Sequence, residues 1–182
     1  LHDVCVHEDI LYGCGIYSAS MYAIDISDKS NPEVITQWYG ISSSHACWVS
    51  ENGNTLFTAS ETTGGHIMSW DVTDLENENV NLLDEWLPTD GENWSAHNLF
   101  VKGDYLYISY YVYGLHILDI SDPENMINIG QYDTFIEQPD TYIFSGAWGA
   151  FPYYNSNKIV ISDRSTGLYV VELEIVDCNS AF

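Results

Sequence analysis

Basic residues are almost missing from this chain. Its 182 residues hold 4 Lys and Arg against 27 Asp and Glu, a formal net charge of −23. Phosphate backbones repel such a surface, which argues against nucleic acid as a partner, and anionic membranes are disfavoured for the same reason. A saline habitat and bound divalent cations both suit the charge, since salt screens self-repulsion. No run approaches the roughly 20 apolar residues that span a bilayer. The sequence lacks the G-x-S-x-G elbow, the P-loop and the H-E-x-x-H zinc motif, so no catalytic residue is assigned. It has neither an initiator Met nor a signal peptide, and it opens inside a strand-like run at Leu1-His2-Asp3-Val4. This reads as a processed form or fragment whose targeting segments lie elsewhere. The alternative reading is a complete four-bladed β-propeller. Cysteine is scarce too, at four: Cys5, Cys14, Cys47 and Cys178. An even count permits disulfides, with Cys5–Cys14 the favoured pair across the first turn. The competing reading makes these cysteines small buried apolar residues.

What the chain has is a repeat. Asp25-Ile26-Ser27-Asp28, Asp71-Val72-Thr73-Asp74 and Asp119-Ile120-Ser121-Asp122 recur at intervals of 46 and 48 residues. Ahead of each lies a strand-like run opening on Ile10-Leu11-Tyr12, Thr55-Leu56-Phe57 or Tyr105-Leu106-Tyr107. Ahead of that stands a histidine with a valine four places on: His2 and Val6, His45 and Val49, His97 and Val101. Behind each follow Gln37-Trp38, Glu85-Trp86 and Gln131-Tyr132. The clearest unit has β-type runs at 96–102, 104–111, 114–120 and 126–132, rich in Tyr, Ile, Val and Leu and separated by Gly, Asp and Pro turns. Four antiparallel strands at a period in the forties predict an all-β protein, a β-propeller, with repeats at 1–39, 45–86, 96–132 and 145–176. The fourth repeat carries Ala147 where the others carry histidine, and little chain remains for its last strand.

Gly114-Leu115-His116-Ile117-Leu118-Asp119-Ile120-Ser121-Asp122-Pro123 resembles the core of the LVIVD repeat. Ser145-Gly146-Ala147-Trp148-Gly149, with Ser162-Asp163 and Gly167-Leu168-Tyr169-Val170-Val171, is similar to the final blade of bacterial "choice-of-anchor B" surface proteins. The resemblance spans essentially the whole chain. It implies an exported, surface-anchored bacterial propeller with further blades or an anchor domain outside this sequence. It implies no established enzymatic activity.

In a propeller the crossings from one blade to the next lie on one face, beside the mouth of the central channel. The long crossings 87–95 and 134–144 mix acids with aromatics, so Glu92, Trp94, Asp140 and Tyr142 are the candidate contacts for a carbohydrate or protein ligand, which makes the chain a binding or adhesion module. The bland reading is that these crossings only cover the blade junctions. Repeat geometry also brings His2, His45 and His97 toward one channel mouth. Converging neutral imidazoles bind Zn²⁺ or Cu²⁺, giving the alternative of a metal-binding propeller or a metal-dependent enzyme. Against it stands a repeated hydrogen bond from each ring to a neighbouring blade's carbonyl. The Asp25/Asp28, Asp71/Asp74 and Asp119/Asp122 pairs suit Ca²⁺, or more simply cap their own turns. Trp38, Trp86 and Tyr132 recur in phase and read as blade packing, whereas Trp94, Tyr142, Tyr153 and Tyr154 fall outside the repeat.

Overall fold

In a computed structural model, described for residues 1–136 and 142–174, the chain is an all-β propeller of four consecutive sheets. Blade 1 comprises β1 (Val4–His7), β2 (Ile10–Gly15), β3 (Ser20–Asp25) and β4 (Glu33–Tyr39). Blade 2 comprises β5 (Ser44–Val49), β6 (Thr55–Ser60), β7 (Ile67–Asp74) and β8 (Asn79–Trp86). Blade 3 comprises β9 (Leu99–Lys102), β10 (Tyr105–Ser109), β11 (Leu115–Asp119) and β12 (Ile127–Tyr132). Blade 4 has three strands among the described residues: β13 (Ala147–Phe151), β14 (Lys158–Asp163) and β15 (Gly167–Glu172). Every pairing is antiparallel and joins strands adjacent in sequence. Among the described residues, helix is confined to the single 3₁₀ turns Leu75–Asn77 and Gly91–Asn93.

The Asp pairs shape the turns. Asp25, Asp71 and Asp119 each accept a hydrogen bond from the backbone N–H two residues on, at 2.8, 3.0 and 2.9 Å, and Asp28 and Asp122 do the same. These Asx-turns reverse the chain after each third strand. The bonded N–H and hydroxyl groups of Ser27, Ser30 and Ser121 hold the Asp25, Asp28 and Asp119 carboxyls below their ordinary range. One repeated feature has no sequence signature. The third and fourth strands slip register at Ala23/Ile24, Ser69/Trp70 and Ile117/Leu118, which are equivalent positions in blades 1, 2 and 3. A bulge there bends the outer strand locally and adds to its twist.

The pleat puts alternate residues on opposite faces, and each face packs on the next blade. Tyr12, Cys14, Met21 and Trp38 of blade 1 meet Cys47, Leu56, Met68 and Trp70 of blade 2. Phe57, Ala59 and Ile67 meet Leu106, Ile108 and Leu118 of blade 3, and Tyr107, Leu115 and Ile117 meet Ala150, Ile159 and Ile161 of blade 4. The outward faces of the first and fourth blades are apolar but uncovered: Val4, Val6 and Val34 on one, Phe151, Leu168 and Val170 on the other are exposed. Of the aromatic residues in phase with the repeat, Trp38 is buried, Trp86 is half-buried, and Tyr132 is 43 % exposed but meets the Tyr169 ring of blade 4 at 5.9 Å, so all three pack between blades.

The expected Cys5–Cys14 disulfide does not form. Cys5 sits opposite Tyr12 in the β1–β2 register, and among the described residues Cys5, Cys14 and Cys47 are free and buried. Cys5 instead meets Cys47 across the blade junction, sulfur to sulfur at 3.5 Å. Hydrogen bonding to Cys14 and Cys5, together with burial, pushes the Cys47 thiol well above its usual range, so it remains protonated. Cys178 lies outside the described residues.

His116 in β11 is also buried, and burial pushes its pKa down to about 4 from 6.5. Its Nδ1 faces the Asn128 amide at 3.4 Å, and its Nε2 is buried beside the Trp86 ring without a partner among the described residues. Above pH 6.5 the ring is neutral in both the folded and the unfolded chain. Between about pH 6.5 and pH 4 only the unfolded chain takes up the proton, so stability falls as pH falls, by up to about 3 kcal/mol from this residue. Urea unfolding of wild type and His116→Gln across that range is expected to show a shallower decline in the variant. Parallel declines would mean that His116 ionises in the folded protein.

Candidate functional site

The antiparallel register brings the start of each inner strand and the end of each second strand to one face of the ring. Ser44 pairs with Ser60, the His2 N–H donates to the Cys14 carbonyl at 2.7 Å, and the His97 N–H donates to the Ser109 carbonyl at 3.0 Å. The three histidines therefore meet there. The His2 and His45 rings lie 4.3 Å apart, and so do those of His45 and His97. Trp148 completes the row 4.0 Å from His97, beside the Ala147 that interrupts the histidine series.

Each buried ring holds a carbonyl of the next blade. His45 Nδ1 lies 3.2 Å from the His97 oxygen, and His97 Nδ1 lies 2.5 Å from the Trp148 oxygen. A carbonyl only accepts, so both Nδ1 atoms carry hydrogen and donate. Burial lowers the pKa of both rings, that of His97 to about 3, so both are neutral and their Nε2 atoms present lone pairs.

Those lone pairs face Glu61, a residue that sequence reading missed. It directly follows β6, and its N–H donates to the Ser43 carbonyl at 3.0 Å. Its Oε2 lies 3.5 Å from His45 Nε2 and its Oε1 lies 4.0 Å from His97 Nε2. The Tyr111 hydroxyl, 2.5 Å away, donates to Oε1. Donor atoms of His2, His45 and Glu61 all lie within 4.8 Å of one another, a spacing that suits one metal ion. His97 sits behind this trio. Beside it opens a cleft of about 440 Å³ lined by His2, Tyr17, Ser18 and Glu61.

Aromatic residues border the mouth. Tyr142 is exposed and rests edge-on against Phe144 at 5.1 Å, and Phe144 against Tyr111 at 5.3 Å. The Arg164 guanidinium lies 4.9 Å over the Trp148 ring and donates to the Phe144 carbonyl. Tyr17, in the β2–β3 turn on the same face, is fully exposed. The 87–95 crossing is packed more tightly: its Trp94 carbonyl accepts from the Gly64 N–H at 2.9 Å. Trp94 is half-buried on Tyr113 at 6.0 Å and against the core between blades 2 and 3, while Glu92 is exposed. Asp140 lies outside the described residues.

The LVIVD repeat model matches residues 2–38 and 95–134, the first and third blades. The chain is a β-propeller that carries two LVIVD-repeat segments. Among solved structures it is similar to a protein from Lactobacillus plantarum at 17% identity, covering 100% of this chain and 52% of that one, with a TM-score of 0.73. A proposed 6-phosphogluconolactonase from Bacteroides uniformis matches at 13% identity over 95% of this chain and 50% of its own, TM-score 0.74. The Cps50 (Swd1) β-propeller domain of Myceliophteria thermophila matches at 13% identity over 91% and 51%, TM-score 0.64. At these identities the likeness concerns the fold alone. This propeller spans about half the length of each of the three. No curated protein matches it.

Proposed function

We propose that this propeller is a binding module of an exported bacterial surface protein and takes a carbohydrate on the face that carries the channel mouth. The observation behind this reading is the set of aromatic side chains left uncovered there: Tyr17, Tyr142 and Trp148. Large amphipathic rings held in water on a rigid sheet scaffold are the usual anchors of a recognition face. The net charge of −23 favours a neutral or cationic polymer over an acidic one. Export and surface attachment follow from the likeness to choice-of-anchor B proteins, and the acidic surface suits a saline exterior. In the same reading the uncovered faces of blades 1 and 4 pack against further blades, because exposed apolar sheet faces of this kind call for a partner.

Titration with a panel of soluble neutral and cationic polysaccharides tests this. Tyr17→Ala and Tyr142→Ala are each expected to weaken binding about tenfold, in the range of about 1–3 kcal/mol for an aromatic anchor, while leaving the melting temperature unchanged. A panel that binds nothing, or binds both variants like wild type, refutes the carbohydrate reading. Retention of a protein ligand with the same sensitivity to both variants would replace carbohydrate by protein.

A further inference from the structure

We propose that His2, His45 and Glu61 bind a divalent first-row transition ion at the channel mouth, with open coordination positions facing the cleft lined by Tyr17. Two imidazole rings converge on one carboxylate at the mouth. The His45 Nε2 lone pair points at the Glu61 carboxylate from 3.5 Å, and His97 Nε2 faces the same carboxylate from 4.0 Å. The His97 and Trp148 carbonyls already occupy the Nδ1 hydrogens of these rings. Both Nε2 atoms therefore turn toward one carboxylate, whose Oε1 also accepts from the Tyr111 hydroxyl. Oε2 and His45 Nε2 stand 3.5 Å apart, with a ring nitrogen of His2 beside them. A cation between them would bond to all three.

The geometry fits such an ion. Metal–ligand bonds of about 2.0–2.2 Å at tetrahedral angles put neighbouring donors roughly 3.4 Å apart. The Nε2–Oε2 separation is 3.5 Å. His2 supplies the third donor, all three lying within 4.8 Å of one another, so a small turn of its exposed ring closes the set. Two imidazole nitrogens and one carboxylate oxygen select Zn²⁺ and its first-row neighbours over Ca²⁺ or Mg²⁺, which prefer all-oxygen shells. The supporting contacts are those of a built site: a carbonyl orients His45, and a tyrosine hydroxyl orients Glu61. Three protein ligands leave at least one position open, and the cleft of about 440 Å³ provides space for a water or an oxygen ligand.

Chelator-treated protein titrated with ZnCl₂ tests this, read by calorimetry, by metal content after dialysis and, with Co²⁺ in place of Zn²⁺, by visible absorption. Wild type is expected to retain one ion per chain and to melt higher with zinc. His2→Ala removes a ligand from an exposed position, and Glu61→Gln keeps an acceptor for Tyr111 while removing the charge. Each is expected to weaken zinc binding more than about 100-fold, beyond the 10–100-fold typical of losing a supporting residue. Tyr111→Phe is expected to stay within that smaller range, and His116→Gln to bind as wild type. Failure to retain zinc overturns the proposal. So does equal affinity in wild type, His2→Ala and Glu61→Gln, which would place the metal on scattered surface carboxylates. The probe is the metal alone, so either failure leaves the carbohydrate reading untouched.

Discussion

Alanine at Gly146 is expected to destabilise the propeller by about 2–6 kcal/mol and to disorganise the channel mouth with it. Gly146 has φ +99°, a conformation that costs a non-glycine residue about 1–3 kcal/mol. A Cβ there would also lie 2.3 Å from the Tyr111 carbonyl oxygen and 2.8 Å from the Val112 nitrogen. Both are backbone atoms of the adjoining blade, so the overlap is relieved only by moving one blade relative to the other, at a further cost of about 1–3 kcal/mol. The contact it breaks is specific. The Ala147 N–H donates to the Tyr111 carbonyl at 2.9 Å, and Tyr111 in turn holds Glu61. Chemical denaturation gives the stability change, and the zinc titration is expected to weaken in parallel. Gly103→Ala is the control. Gly103 also has positive φ, at +58°, but nothing lies within 4 Å of its Cβ position, so only the conformational part remains. Equal losses at the two sites would show that the close approach of blades 3 and 4 carries no energy.

Trp70→Ala is expected to cost about 3–5 kcal/mol, the range for truncating a buried large aromatic. Trp70 is buried in β7 at the junction of blades 1 and 2, 6.4 Å from the Trp38 ring, and its indole N–H donates to Thr58 Oγ1 at 3.0 Å. Phenylalanine restores part of the volume but leaves the buried Thr58 hydroxyl without its donor, so Trp70→Phe should recover only part of the loss. Trp38 offers the contrast. Its indole N–H is buried without a partner among the described residues, so Trp38→Phe should cost less than Trp70→Phe. Urea midpoints of the four proteins, with slopes checked for constancy, decide this. If Trp38→Phe costs as much as Trp70→Phe, volume alone governs the junction and the hydrogen bond contributes nothing.

The two tryptophans show where sequence reasoning stops. Trp38 falls in phase with Trp86 and Tyr132, which marked it as a packing residue. Trp70 stands where the other blades carry Ile24 and Leu118, and no repeat landmark singled it out. The difference between a bonded and an unbonded indole depends on Thr58, a cross-strand neighbour twelve residues away. The cysteines teach the same point. Neighbouring strands suggested Cys5–Cys14, whereas the Cys5 sulfur contacts that of Cys47, one blade away.

What the amino-acid order determined by itself is whatever repeats locally. The period of 46 and 48 residues, the alternating apolar faces and the Asp-capped turns each depend on residues within one blade. Those interactions are short in sequence, so a linear pattern records them. The same phase placed His2, His45 and His97 at one end of successive inner strands. Only the tertiary structure decided what those rings meet. Glu61 and Tyr111 come from second-strand ends in different blades, and Trp148 from the blade whose histidine is missing; they reach the rings across blade junctions with sequence separations of 50 or more for Tyr111–Glu61 and His97–Trp148. Such meetings are set by the distance and twist between sheets, which the repeat fixes only coarsely and the packing of Met21, Trp38 and Trp70 fixes in detail. The strands were therefore legible in the sequence, and the carboxylate that turns a row of histidines into a candidate metal site was not.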